Sequence, residues 1–281
     1  MKFGVATFVT DEGIAPADLG RVLEERGFES LFVAEHTHIP VKVESQWPEG
    51  DELPRKYYRT LDPFVALTSA AEATERLLVG TGILLLVERD PIVTAKEIAS
   101  LDRVSAGRVV VGVGAGWNRE EMRDHGTDPR TRVELLRERI LAMREIWTRD
   151  EAEFHGRFVN FDPIYCWPKP VQRPHPPILV GGSGPTTLDR VLEYGDGWMP
   201  TYGLGTDEIT RRTAELERRA TEVGRGHLPV SVYAVPADRE VVARLAEAGV
   251  ERVLFDLPTV PAEETRRVLD EFARVAGSFR D

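Results

Sequence analysis

Glu35, His36 and His38 fall together at the end of a short apolar run, SLFVA at 30–34. A histidine there can hydrogen-bond a substrate oxygen or move a proton, because its charge changes near neutral pH. It can equally be a satisfied structural residue. A second histidine one residue away and the adjoining carboxylate tilt the reading towards chemistry. The same residue types ligate metals, but alternation along a strand sends Glu35 and His36 to opposite faces. No third ligand stands nearby, so no metal site is expected.

A second stretch, RVVVGVGAGWN at 108–118, is apolar and β-branched until Gly112, Gly114 and Gly116 strip the side chains from its end. Trp117 and Asn118 follow directly. The run has the character of a strand buried on both faces. Glycines at its end let a ligand or another backbone come close, or mark no more than a bulge. We read this strand end as one wall of a ligand pocket. It is not a dinucleotide fingerprint: Trp117 takes the place of the third glycine, and Asp128, Pro129 and Thr131 start the next long helix over ten residues on. A third stretch, GGSGP at 181–185, follows Val180 and precedes a helical pattern. Its amides and the helix N-terminus can cradle an anion; the alternative is a tight turn capped by Ser183.

These stretches need elements to position them. Strands are expected at 3–9, 30–34, 77–86, the 108–118 run, 177–180, 197–200, 228–235 and 252–257. Helices are expected at 16–26, 63–74, 91–105, 131–148, 186–194, 207–223, 238–248 and 262–276. Asp62-Pro63 and Asp90-Pro91 have the form of an N-cap followed by a first helical proline. Val133, Leu136, Ile140, Met143 and Trp147 recur at three-four spacing and should make one buried helix face. The 39–60 loop is long enough to be a functional lid. Its Trp47, Tyr57 and Tyr58, with Trp198, point to an apolar or aromatic substrate. The proline- and aromatic-rich 151–176 segment is expected to form a small hairpin, with Phe154, Phe158, Phe161, Tyr165 and Trp167 in the core rather than at the ligand.

About eight strands alternating with about eight helices argue for an α/β fold, a (β/α)8 TIM barrel spanning 1–281 as one domain, with insertions after strand two and before strand five. A doubly wound open sheet is the alternative. Barrel sites lie at the C-terminal strand ends. Glu35, His36, His38, Gly82, Ile83, Gly114, Gly116, Trp117, Asn118, Gly181, Gly182, Ser183 and Trp198 all fall there. The formal net charge of −11 argues against nucleic acid or an anionic membrane as partner. A single cysteine, Cys166, excludes an internal disulfide and fits a reducing, cytoplasmic setting. No run is long enough to span a membrane, and the first residues read as a strand rather than a signal peptide.

As a set, these motifs resemble the luciferase-like monooxygenase superfamily, and within it the coenzyme F420-dependent oxidoreductases. The matching stretches are SLFVAEHTH (30–38), LVGTGILLL (78–86), DPIVTAKE (90–97) with LDR (101–103), GVGAGWNREE (112–121), WPKP (167–170) with PPILVGG (176–182), and GDGW (195–198). The likeness covers nearly the whole chain. It implies a (β/α)8 barrel that binds F420, or alternatively FMN, in its mouth. A non-prolyl cis peptide behind the ring maps onto Gly82–Ile83, beside Thr81. Ring-edge and proton-transfer roles map onto Glu35 and His36, with His36 the catalytic residue. Gly114, Gly116, Trp117 and Asn118 would form a wall, and Val180, Gly181, Gly182 and Ser183 the phosphate loop. His38, Trp47, Tyr57 and Trp198 would meet the substrate.

The resemblance also implies a homodimer. Some deazaflavin members carry a proton-donating glutamate after the strand-four glycines. Trp117 stands in that place here, which leaves acid chemistry to His36 or the substrate. The cofactor's phosphodiester and oligoglutamate tail demands a positive patch in so acidic a protein. Arg55, Lys56 and Arg59, or Lys169 and Arg173, are the candidates. Hydride transfer to or from a small organic substrate is the expected function. The competing readings are an FMN-dependent monooxygenase with a separate reductase, a protein that holds a flavin-like cofactor without turnover, and a phosphate-sugar isomerase-type barrel.

Overall fold

Short β-branched runs alternate with amphipathic helices along the chain. The computed structural model describes residues 1–42, 44–45 and 52–279. In order, the strands are β1 (Lys2–Thr7), β2 (Ser30–Val33), β3 (Leu78–Leu84), β4 (Val109–Val113), β5 (Glu151–His155), β6 (Asn160–Tyr165), β7 (Ile178–Gly181), β8 (Gly197–Met199), β9 (Ser231–Val235) and β10 (Arg252–Asp256). The helices are α1 (Pro16–Glu25), α2 (Pro63–Glu72), α3 (Pro91–Val104), α4 (Arg119–Asp124), α5 (Arg132–Thr148), α6 (Thr187–Tyr194), α7 (Thr206–Glu222), α8 (Arg239–Glu247) and α9 (Ala262–Gly277).

All strands but β5 and β6 pair in parallel, in the order β8-β7-β4-β3-β2-β1-β10-β9. The two ends meet through the parallel bridges Trp198–Val230 and Thr201–Tyr233. The result is a nearly closed (β/α)8 barrel, as expected. Period-two alternation sends Ala6, Phe32, Val110, Leu179, Met199 and Leu254 into the barrel. The opposite faces pack against the helices. Gly80 lies where the Phe32 ring crosses the interior, and a Cβ there would come within 2.6 Å of that ring.

Local sequence explains where the helices begin. Asp62 accepts from the Phe64 and Val65 amides, and Asp90 from those of Ile92 and Val93, each with proline at the first helical position. The expected long helix begins at Arg132 as α5, and a short helix, α4, precedes it directly after the glycine run. Two expectations need correction. Val133 is 40 % exposed, because α5 starts at the barrel rim; Leu135 joins Leu136, Ile140, Met143 and Trp147 in the core instead. In the antiparallel β5–β6 hairpin, Phe154, Phe158 and Phe161 pack against the core, but Tyr165 is 73 % and Trp167 53 % exposed. Lys169 is buried beyond the hairpin, where its Nζ donates to the Ile146 and Arg149 carbonyls at the end of α5. That is a helix-end role at the far end of the barrel from the strand C-termini.

Candidate active site at the barrel mouth

The C-terminal strand ends surround a cavity of about 550 Å³, within the range of cofactor and substrate pockets. Its floor is a bulge in β3. Pairing between β3 and β4 slips between Thr81 and Leu84, and the Gly82–Ile83 peptide is cis. Ile83 projects across to the neighbouring strands. Its Cδ1 fills the space a Cβ on Gly114 would need, and its Cγ2 lies 3.0 Å from where a Gly181 Cβ would sit. These two glycines therefore make room for the Ile83 side chain in the cavity lining. Gly114→Ala should force Ile83 off its rotamer and up into the cavity, destabilising the protein by about 1–3 kcal/mol. Thermal unfolding checks this; a melting temperature equal to wild type would refute the wedge.

His36 stands in the cavity wall, nearly buried. Its Nδ1 lies 2.6 Å from Glu121 Oε2, and Glu121 Oε1 accepts from the Thr37 amide at 3.0 Å. Glu121 is fully buried. The Trp117 ring meets His36 edge-on at 5.9 Å, and the Tyr57 ring lies 5.3 Å away on another side. Glu35 also lines the cavity, but its carboxylate is engaged from behind. Oε2 accepts from the Leu85 amide at 2.6 Å and Oε1 pairs with Arg89. Burial pushes the Glu35 carboxyl up, against the pull of Arg89. Close behind is Glu88, buried, with neither carboxyl oxygen hydrogen-bonded among the described residues. Burial first, then the charges of Glu121 and Glu35, push it up to about 9.

At another part of the rim, the turn after β7 is braced from both sides. The Gly182 carbonyl accepts from Trp198 Nε1 at 3.0 Å, and Arg212 takes the Ser183 and Gly184 carbonyls. No bond from the Ser183 or Gly184 amide is seen among the described residues, so those donors are left for a ligand at the start of α6. Gly182 has φ +119°, which a residue with a Cβ rarely adopts. Arg190 lines the same wall, and its Nε is buried without a partner among the described residues.

The structure brings together Glu35, His36, Tyr57, Gly82, Ile83, Gly114, Gly116, Trp117, Gly181, Gly182 and Ser183 around this cavity. Other expected residues sit elsewhere. Thr81 is buried behind the floor, its hydroxyl on the Gly112 carbonyl at 2.8 Å. Asn118 caps α4, accepting from the Glu120 and Glu121 amides. Val180 is a core residue. Trp198 is fully buried and braces the glycine turn rather than meeting a ligand. His38 points outward to Asp124 at 3.0 Å. Trp47 lies outside the described residues. Glu121, Arg132 and Arg190 went unforeseen. One signal was available for Glu121: it follows the Asn118 cap at the capping-box interval, although its carboxylate turns to His36 instead of back to the cap.

A model of the luciferase-like monooxygenase family matches residues 4–276. The chain belongs to this family. Among luciferase-like relatives, an uncharacterized protein of Mycobacterium tuberculosis is 43% identical over 97% of this chain and 98% of its own length. An FMNH(2)-dependent dimethylsulfone monooxygenase of Pseudomonas putida is 34% identical over 63% of this chain and 50% of its own. An F420-dependent secondary alcohol dehydrogenase, solved as an F420-acetone adduct, has the same luciferase-like fold, with a TM-score of 0.77 and 20% identity over the full length of both chains. The proteins this chain resembles thus include one named as FMNH(2)-dependent and, by fold, one named as F420-dependent.

Proposed function

We propose that this protein is an F420-dependent oxidoreductase that moves a hydride between the deazaflavin and a small organic substrate held in the same cavity. The observation that carries the reading is the buried His36–Glu121 pair in the wall of a cavity floored by the Gly82–Ile83 bulge. The residues present fit such a group. Ile83, Tyr57 and Trp117 offer apolar surfaces to a planar ring, and the unengaged Ser183 and Gly184 amides, with the Arg190 charge in the same lining, suit its anionic arm. When bound, a deazaflavin supplies a two-electron hydride at carbon and reacts poorly with dioxygen.

The chain's own residues do the rest. The cavity's apolar lining excludes water and holds the reactants face to face. Glu121 accepts the His36 Nδ1 proton and so fixes the ring's orientation and tautomer. That leaves Nε2 to give or take, at a substrate oxygen, the one proton that accompanies a hydride. A carbonyl and its alcohol are the substrate pair for which this balance holds.

Titrating the apo-protein with F420 and with FMN, followed by fluorescence, tests the cofactor. F420 should bind in the micromolar range and FMN more weakly. The reverse order would favour an FMN-dependent monooxygenase of the kind the Pseudomonas relative represents.

A further inference from the structure

The cavity adjoins a second depression of about 510 Å³ on the surface, lined by Arg119, Arg123, Asp128, Pro129, Arg130 and Arg132. Arg132 belongs to both, and it lines the main cavity together with Ser183 and Arg190. We infer that this arginine-lined depression is a subsite for the polyanionic tail of the bound cofactor, a flexible chain of successive carboxylates. The inference rests on the F420 reading above, since FMN has no such tail.

The charge distribution supports it. The chain carries a net −11, yet four guanidiniums gather here against few carboxylates. Asp128 is spent on Arg130, which grips it through Nε and Nη2 at 3.1 and 2.7 Å and holds it down at about 2. Glu120 meets Arg123 at 3.4 Å. Arg132 donates to the Pro129 carbonyl, and no carboxylate pairs with Arg119 or Arg132 among the described residues. Guanidinium forks suit carboxylates, and three of the four are exposed enough to follow a mobile chain.

Location supports it as well. Arg132, at the head of α5, lines the cavity that also holds the glycine turn, and the rest of the cluster continues from it onto the surface. The cations expected for this task from the sequence are committed elsewhere. Arg55 pairs with Glu12 at 2.6 Å and Arg59 with Asp11, Lys56 lies 4.8 Å over the Phe8 ring, and Lys169 closes α5 at the far end. Arg173 precedes β7, at the far end too.

The test is equilibrium binding of F420 carrying no glutamates and F420 carrying several, to the wild type and to an Arg119→Gln/Arg123→Gln double variant. Both positions are exposed on α4, and circular dichroism verifies the fold. On the wild type the long-tailed form should bind tighter by on the order of tenfold, the sum of a few exposed ion pairs. That advantage should vanish in the variant and at high salt, while the tail-free form binds both proteins alike. Arg130→Gln, made separately, should lose part of the advantage. Equal affinity of the two forms for the wild type would overturn the tail subsite and leave the F420 reading standing. An equal loss for both forms in the variant would also overturn it, as the signature of a structural role. If neither form binds while FMN does, the cofactor reading falls and the subsite with it.

Discussion

Replacing His36 by alanine should slow the chemical step by about 10²–10⁴-fold, the usual worth of a positioned proton carrier, and change F420 affinity only a few-fold. The expectation follows from how His36 is held. Its Nδ1 is committed to a buried carboxylate that also takes the Thr37 amide, and aromatic rings bound it on two sides. Such a ring is fixed in tautomer and direction before any substrate arrives. Glu121→Gln, nearly the same in shape, removes the carboxylate but not the side chain. It should cost about 10–100-fold through the loss of that orientation, in kcat more than in KM. Single-turnover absorbance of the deazaflavin with an alcohol or carbonyl substrate reads the step directly. A wild-type rate in His36→Ala would remove His36 from the mechanism.

The second large effect concerns Glu88. Its ordinary value is 4.5 and burial beside Glu121 and Glu35 lifts it to about 9. Between those values the folded protein keeps a proton that the unfolded chain has already released. Stability from this group is therefore intact below pH 4.5 and drains away as pH rises towards 9. The groups facing it are Glu121 on α4, Glu35 at the end of β2, the adjoining Arg89, and Arg139 on α5. Glu88→Gln keeps a neutral side chain of the same size. Melting temperatures at pH 6 and pH 8.5 should fall in the wild type and hold much steadier in the variant. Parallel slopes would show that Glu88 is not the titrating group.

The architecture was legible because its signals are local and repeated. The Asp62-Pro63 and Asp90-Pro91 caps, the β-branched runs and the glycine stops each mark an element within a few residues. Gly82–Ile83 entered through the family resemblance, and the peptide is cis there. What could not be read is tertiary. No spacing says that the side chain of Ile83 consumes the room left by Gly114 and Gly181, so those glycines read as space for a ligand. Trp198 looked like a pocket residue because it ends a barrel strand, but alternation turns it outward, where its indole braces the glycine turn. Glu121 was hidden because Glu120 and Glu121 look alike in sequence; only the phase of α4 decides which of them is buried against His36. Arg119, Arg123, Arg130 and Arg132 are scattered among acidic neighbours, and the turn between α4 and α5 gathers them.

The wedge at Ile83 also constrains how this barrel can change over time. A side chain at position 114 becomes possible only after position 83 has shrunk, whereas position 181 is also confined by the Val113 carbonyl, so positions 83 and 114 cannot drift independently. A lineage that widened the strand-four edge first would pass through a clashing intermediate, whereas one that trimmed Ile83 first would pass through a merely underpacked one. History at these positions is therefore expected to run in one order, and homologues should show a bulky residue at 83 or at 114, but not at both.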